Sequence, residues 1–486
     1  MNLPDSKQQS NKAEPVQAQP MPTTAMAPDK VIVDEARIAH TLSSCGGSDP
    51  VHIREIIAKA KELRGLDLED TAALLTCDDP ALLEEIFAAA SYVKDAIYGR
   101  RVVLFAPLYY SSTCVNNCLY CGFRRDAKRS RRTLSLEEVA REVGALEREG
   151  HRRLLVIGGE TPGPKAIGRL MDVIRTVYET RDGCEIRRVN VETAPMTIEE
   201  FRQLAQARIG TYVVFQETYH RATYKAMHPD GPKADYDWRI EVMDRAMRAG
   251  IEDVGIGVLY GLYDYRFDTL ALLEHARHLE TVHGTGPHTI SVPRVEPTPD
   301  APLSLAPPAA LTDLDLCKVV AILRLSVPYT GIILSTREPP QLRDKLLDLG
   351  VSQMSAGSCT EPGGYAGEHD SASQFPVADT RSLDDVIRSI AHHGYLPSFC
   401  TGCYRKGRTG ADFMELAKPG LIRMHCLPNA LFTYLEYLMD YASEATRQVG
   451  LDLIETQVEH EVPPARRNTV RKMIERIRAG ERDLYL

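Results

Sequence analysis

The chain has 486 residues, enough for a large domain with additional segments rather than one small core. Charged residues make up 26% of it and the formal net charge is −9, so it lacks the basic balance of a nucleic-acid or anionic-membrane binder, and neither partner is expected. No apolar run is long enough to span a bilayer and the N-terminus lacks the apolar core of a signal peptide, so the expected location is cytoplasmic.

Residues 1–30 are rich in Pro, Gln, Ser and Lys without apolar periodicity, which predicts a disordered tail. Residues 31–100 read as an N-terminal helical segment. Apolar residues recur at helical spacing in VHIREIIAKAKEL and ALLEEIFAAASYVKDAIYG, and Asp79 before Pro80 supplies a helix start. From there eight short apolar or β-branched runs alternate with helix-length amphipathic stretches. The runs are 102–110, 153–160, 187–193, 212–218, 253–261, 288–295, 331–337 and 351–357. Strands alternating with helices imply an α/β fold with a parallel sheet, and eight units are the number that closes a (β/α)8 TIM-like barrel, here over residues 101–380. Residues 381–486 form a third, mostly helical piece, with Asn429 after Pro428 as the expected start of a long helix.

The chain carries eleven cysteines, and in a chain expected in the cytoplasm they point to metal binding or catalysis rather than disulfides. Five are scattered (Cys45, Cys77, Cys184, Cys317 and Cys359) and read as small buried hydrophobes. The other six form two groups.

The first group, Cys114, Cys118 and Cys121, follows the first expected strand. Three thiolates this close hold three corners of a cubane 4Fe-4S cluster and leave its fourth iron open. An open iron can chelate the amino and carboxylate groups of S-adenosylmethionine (SAM) and feed an electron into the sulfonium, giving a 5′-deoxyadenosyl radical. A zinc knuckle short of one ligand is the plain alternative. With Tyr120 before the last cysteine, the segment resembles the radical-SAM superfamily signature. Gly158-Gly159-Glu160 closes the second run and resembles the superfamily segment that meets the SAM amino group, although a β-to-α turn uses glycine anyway. Glu192, Gln216 and Glu217 fall at strand C-terminal ends, where barrel sites lie, and are candidates for ribose and sulfonium-side contacts. Arg239 is a candidate partner of the SAM carboxylate. For all of these a rim ion pair is the competing use.

The second group is Cys400 and Cys403, then Cys426 after twenty-two intervening residues. The spacing also suits zinc, with His392, His393 or His425 as fourth ligand. His288 starts the sixth run and so belongs to the opposite barrel mouth, where a docked C-terminal piece would bring a second site; His283 is a nearby competitor.

Taken together, FAPLYYSSTCVNNCLYCGF, QETYH, MHPDGPK, GIGVLYGLYDYRFD, GPHTISVPR and the segment from CTGCYRKGRTGADFMELAKPGLI to CLPNALFTYLEYL closely resemble the HydG family, radical-SAM tyrosine lyases of FeFe-hydrogenase maturation. The likeness spans residues 31–486. The barrel motifs alone are similar to ThiH, the tyrosine lyase of thiazole biosynthesis, which lacks the cysteine-bearing C-terminal piece. The resemblance implies cleavage of the Cα–Cβ bond of L-tyrosine to p-cresol and dehydroglycine, then conversion of dehydroglycine to carbon monoxide and cyanide. It implies a second iron–sulfur cluster on Cys400, Cys403 and Cys426, an additional iron on His288, and a free cysteine as a further ligand. The product is an iron–carbonyl–cyanide unit for the hydrogenase H-cluster, and the partners are a reducing electron donor and other hydrogenase maturation proteins. Arg337, ending the seventh run, is the expected partner of the tyrosine carboxylate, with pairing to Glu338 as its competing use. Passage of diatomic fragments between the mouths would require small or polar residues facing the barrel interior.

Overall fold

The computed structural model describes residues 31–45, 49–367 and 373–486, so the tail expected over 1–30 lies outside the described residues. Four helices come first: Glu35–Ser44, Pro50–Ala60, Leu68–Thr76 and Pro80–Tyr98. Each starts on an aspartate (Asp34, Asp49, Asp67, Asp79) whose carboxylate accepts a backbone N–H of the first turn. Among the described residues no helix is long and apolar enough to cross a membrane.

Eight parallel strands then close a barrel: β1 (Arg101–Ser111), β2 (Arg153–Gly158), β3 (Arg188–Glu192), β4 (Thr211–Val213), β5 (Asp253–Gly257), β6 (Thr289–Ser291), β7 (Gly331–Leu334) and β8 (Gln353–Ser355), each paired to the next and β8 back to β1. Each of the eight expected runs overlaps one of them. The laddered parts are shorter than the apolar runs because the C-terminal ends leave the sheet for the loops above it.

β1 is the exception in length, and its two halves do different things. Its upper half, Ala106–Ser111, pairs with β2, whereas Arg101–Val103 pair with a ninth strand, β9 (Leu396–Ser398). Val103 also pairs with Gln353 on its other side, so β9 lies on the β2 side, below the start of β2. This strand is absent from the sequence-based expectation. Three residues carry almost no periodicity, and Pro397, with no N–H to donate, fits only an edge. β9 sets Cys400 at the bottom mouth.

The long C-terminal helix spans Arg423–Asp440 and runs straight through Pro428, so the start expected at Asn429 is corrected to Arg423. Pro428 removes the bond to the Met424 carbonyl, and Arg466 Nη1 supplies the replacement at 2.9 Å. Asn429 instead ties down Leu486, accepting its N–H at 2.8 Å. Ser443 caps a further helix, Glu444–His460.

Candidate functional site

The upper mouth is built around the loop that leaves β1. Gly159 N–H donates to Ser111 O at 2.9 Å and Val115 N–H to Glu160 O at 3.0 Å, which seats the second turn on the cysteine loop. A Cβ on Gly159 would land on the Thr113 carbonyl, and one on Gly158 would meet the Tyr110 ring. The glycines are therefore needed for this contact, independently of any ligand.

Cys118 is buried and Cys121 faces the interior. Burial pushes the Cys114 thiol up to about 11 and raises Cys118 and Cys121 as well. Such thiols become thiolates only beside a strongly positive centre such as iron. The polar groups around them are committed elsewhere. Asn116 Nδ2 donates to Glu160 Oε2 at 2.8 Å. His228 Nδ1 faces the Tyr224 carbonyl at 2.7 Å and must carry the proton, so Nε2 accepts from the Tyr120 hydroxyl at 2.8 Å. Gln374 Nε2 stands 3.8 Å from Cys121 Sγ as a hydrogen-bond donor, and the three thiols fit a cubane with an open corner.

Beside the loop lies a buried quartet of balanced charge. Arg239 donates through Nη1 to Glu160 Oε1 at 2.8 Å and through Nε to Phe215 O at 2.7 Å. Lys233 Nζ donates to Glu217 Oε1 at 2.6 Å and stands 3.7 Å from Glu160. Burial alone would raise the Glu160 carboxyl, but Arg239 and Lys233 hold it below its usual range. Glu217 takes a left-handed backbone (φ 73°), a strained choice for glutamate that aims its carboxylate at Lys233. Of the two cations, Lys233 lines the cavity below. It sits in the MHPDGPK motif, and its charge alone gave the sequence reading no reason to select it.

That cavity encloses about 1200 Å³ of empty space, its mouth included, and reaches from Cys121 down into the barrel. Glu192, the last residue of β3, faces it and is pushed up to about 7 by burial and by Glu217. Glu296, missed in the sequence, faces the same space and is pushed up to about 7 by burial. Gln216, between the inward Phe215 and Glu217, does not line the cavity; its Nε2 is buried without a partner. The Arg337 guanidinium lies 3.4 Å from the Phe375 ring centroid and faces the cavity. Glu338 pairs with Arg294 instead, which leaves Arg337 one long hydrogen bond, 3.5 Å to Arg294 O.

At the lower mouth Cys400, Cys403, Cys426 and His288 line one second cavity. His288 precedes β6; its backbone N–H donates to Val254 O, while Nδ1 is buried without a hydrogen-bond partner, 3.6 Å from Asp253. Burial keeps the imidazole neutral, the form that ligates metals. His283 is held by Asp244 at 2.8 Å, and His392 and His393 are exposed. His425 does not line this cavity. Among the described residues no three His, Cys, Asp or Glu side chains close around a single-ion position.

The two cavities adjoin inside the barrel, on successive levels of the same strands. Val103, Gly331 and Gln353 line the lower one; Phe105, Ile333 and Ser355, two residues further along the same strands, line the upper. Small and polar inward residues, among them Ser291, Asn190 and Ser355, occupy the levels that a filled barrel packs with branched side chains.

A parallel barrel with an open three-cysteine loop on its first strand defines a radical SAM enzyme. Residues 108–276 match the Radical SAM superfamily model and residues 291–396 the Biotin and Thiamin Synthesis associated domain. The chain is 32% identical to 2-iminoacetate synthase of Escherichia coli (strain K12), over 70% of this chain and 89% of that protein. It superposes on the crystal structure of HydG, a maturase of the [FeFe]-hydrogenase, with a TM-score of 0.91 and 49% identity, over 94% of this chain and all of that one. HydG from Carboxydothermus hydrogenoformans gives a TM-score of 0.80 at 40% identity, over 91% of this chain and 97% of the other. The chain belongs to the HydG family of FeFe-hydrogenase maturases, radical SAM enzymes that use SAM and a 4Fe-4S cluster.

Proposed function

We propose that this maturase is a tyrosine lyase. At the upper mouth it cleaves the Cα–Cβ bond of L-tyrosine to p-cresol and dehydroglycine. At the lower mouth dehydroglycine yields carbon monoxide and cyanide, which leave as an iron–carbonyl–cyanide unit for the H-cluster. The observation that carries this reading is one barrel with a three-cysteine site at each mouth and cavities that adjoin between them. Dehydroglycine is the compound for which 2-iminoacetate synthase is named, which supports the first half.

SAM on the open iron supplies a deoxyadenosyl radical, the hydrogen-atom acceptor for tyrosine. The chain's own residues do the rest. Cys114, Cys118 and Cys121 hold the cluster, with Tyr120, Gly158, Gly159 and Glu160 beside the SAM amino group. Arg239 fixes Glu160, and Lys233, an ammonium with donors to spare, reaches the SAM carboxylate. Glu192 and Glu217 border the ribose, while Gln216, which does not line the cavity, is left out of these contacts. Arg337, flattened on Phe375, takes the tyrosine carboxylate through a bidentate contact. Glu192 and Glu296, both near 7, can accept a proton from the amino acid without a large energetic penalty. Cys400, Cys403 and Cys426 hold a second cluster and His288 its additional iron, with a free cysteine as further ligand. A reducing electron donor and other maturation proteins are the partners, in the cytoplasm.

The test is anaerobic incubation of reduced, reconstituted protein with SAM and tyrosine, assaying deoxyadenosine, p-cresol, cyanide and carbon monoxide. Without deoxyadenosine the radical reading falls. Deoxyadenosine and p-cresol without carbon monoxide leave a lyase that stops at dehydroglycine. Cys400→Ala with Cys403→Ala is expected to keep p-cresol release and lose carbon monoxide; carbon monoxide at the parental rate would exclude the second cluster from the reaction.

A further inference from the structure

The two ends of the barrel differ sharply in charge. At the upper end Glu160 and Glu217 balance Lys233 and Arg239. At the lower end Arg101, Arg153 and Arg408 line the cavity, Arg188 stands behind Tyr404 at 2.9 Å from its ring centroid, and no lining residue is acidic. Buried Asp253 is 4.0 Å from Arg188.

These guanidiniums are only partly satisfied. Arg153 Nη1 donates to Cys400 O at 2.7 Å and Arg408 Nη2 to Leu486 O at 3.0 Å, but all four Nε atoms are buried without a partner. Arg153 and Arg188 are more than nine-tenths buried. Buried cations this poorly paired are costly unless a negative group completes them. The one such contact, Arg101 against Cys426, leaves most of that positive charge uncompensated; thiolates carrying iron and sulfide, with anionic ligands added, bring further negative charge to it.

We propose that Arg101, Arg153, Arg188 and Arg408 form a cationic cage that stabilises the more negative, reduced state of the cluster on Cys400, Cys403 and Cys426, and so raises its midpoint potential. The inference rests on the reading of those cysteines as a second cluster site. Net charge and hydrogen bonds at the sulfurs are the levers by which a protein sets cluster potential. The couple concerned is the one-electron reduction of the cluster, with the electron supplied by the titrant.

The experiment is a redox titration of reconstituted protein with dithionite, followed by electron paramagnetic resonance, on the parent and on Arg153→Gln, Arg408→Gln and the corresponding Lys variants. The expected result is a lower midpoint for the second cluster in each Gln variant, a near-parental one in each Lys variant, and an unmoved upper cluster. An unchanged midpoint in both Gln variants at parental iron content overturns the cage. Loss of about four irons from Gln variants but not from Lys variants supports it, since charge is then what retains the cluster. The same loss from both overturns it by marking a packing role. A parent that binds iron for one cluster only removes the second-cluster reading itself, and the cage with it.

Discussion

Gln353 and Ser355 stand two residues apart on β8 and line different cavities, Gln353 the lower and Ser355 the upper. Two residues along a strand are about 7 Å, so one layer of side chains separates the two ends. Gly255 adjoins that layer: it pairs with Val213, which lines the upper cavity, and with Thr289, which pairs with Gly331 of the lower one, and a Cβ there would meet Thr289 Oγ1 at 2.5 Å and Val213 Cγ2 at 3.0 Å. Gly255→Val is expected to close the layer at a cost of about 1–3 kcal/mol in packing. It should retain p-cresol formation and lose most of the iron-bound carbon monoxide, followed by infrared spectroscopy. Undiminished capture would show that the fragments take another route.

Arg337 supports a second expectation. Its guanidinium is stacked on Phe375 and its rival Glu338 is taken by Arg294, so its donors face the cavity. Arg337→Lys keeps the charge but loses the planar fork. A hydrogen bond to a charged group is worth about 1.5–3 kcal/mol, so kcat/KM for tyrosine should fall by about 10- to 100-fold. SAM cleavage without tyrosine should be unaffected. Equal loss of both would place Arg337 outside the tyrosine site.

The barrel was legible because eight runs of apolar residues alternate with amphipathic helices, and both cysteine groups because close spacing survives without any tertiary knowledge. What escaped depended on contacts across the chain. β9 is a three-residue edge strand whose reason to exist is the unpaired lower half of β1. The helix through Pro428 is possible because Arg466, remote in sequence, satisfies the Met424 carbonyl. Arg239 was readable as a cation near SAM, but the sharing of Glu160 and Glu217 between Arg239 and Lys233 comes from folding. The four lower arginines come from β1, β2, β3 and the C-terminal piece, and nothing local marks them as one group.

Glu192 makes stability depend on pH. Its folded carboxyl is pushed up to about 7, chiefly by burial and then by Glu217, from an ordinary value of 4.5. A group raised in the folded state favours folding below its unfolded value, and that advantage is lost as pH rises through the folded one. Against the opposite slope of buried histidines such as His151 and His275, Glu192 should therefore contribute a loss of stability between about pH 4.5 and 7 in the metal-free protein. Glu296 and Asp268, also raised to about 7, add to the same slope. Glu192→Gln should flatten it in urea titrations across that window. An identical slope in the variant would mean that Glu192 is ionised in the folded protein throughout.

Gly159 separates the two mouths experimentally. Its backbone needs no left-handed conformation; it is absent from the positive-φ glycines, and the demand on it is purely one of space. A methyl group at 159 would occupy the position of the Thr113 carbonyl, one residue before Cys114. Gly159→Ala must therefore push the cysteine loop off the second turn, breaking the Val115 to Glu160 hydrogen bond that aligns it. The lower cysteines, anchored by β9 and the helix Arg423–Asp440, feel none of this. The variant should lose about four irons with the upper cluster's signal and all deoxyadenosine formation, while the second cluster's signal persists. Parental iron content with parental SAM cleavage would mean that the loop tolerates the shift, and that the double glycine serves the ligand instead of the turn.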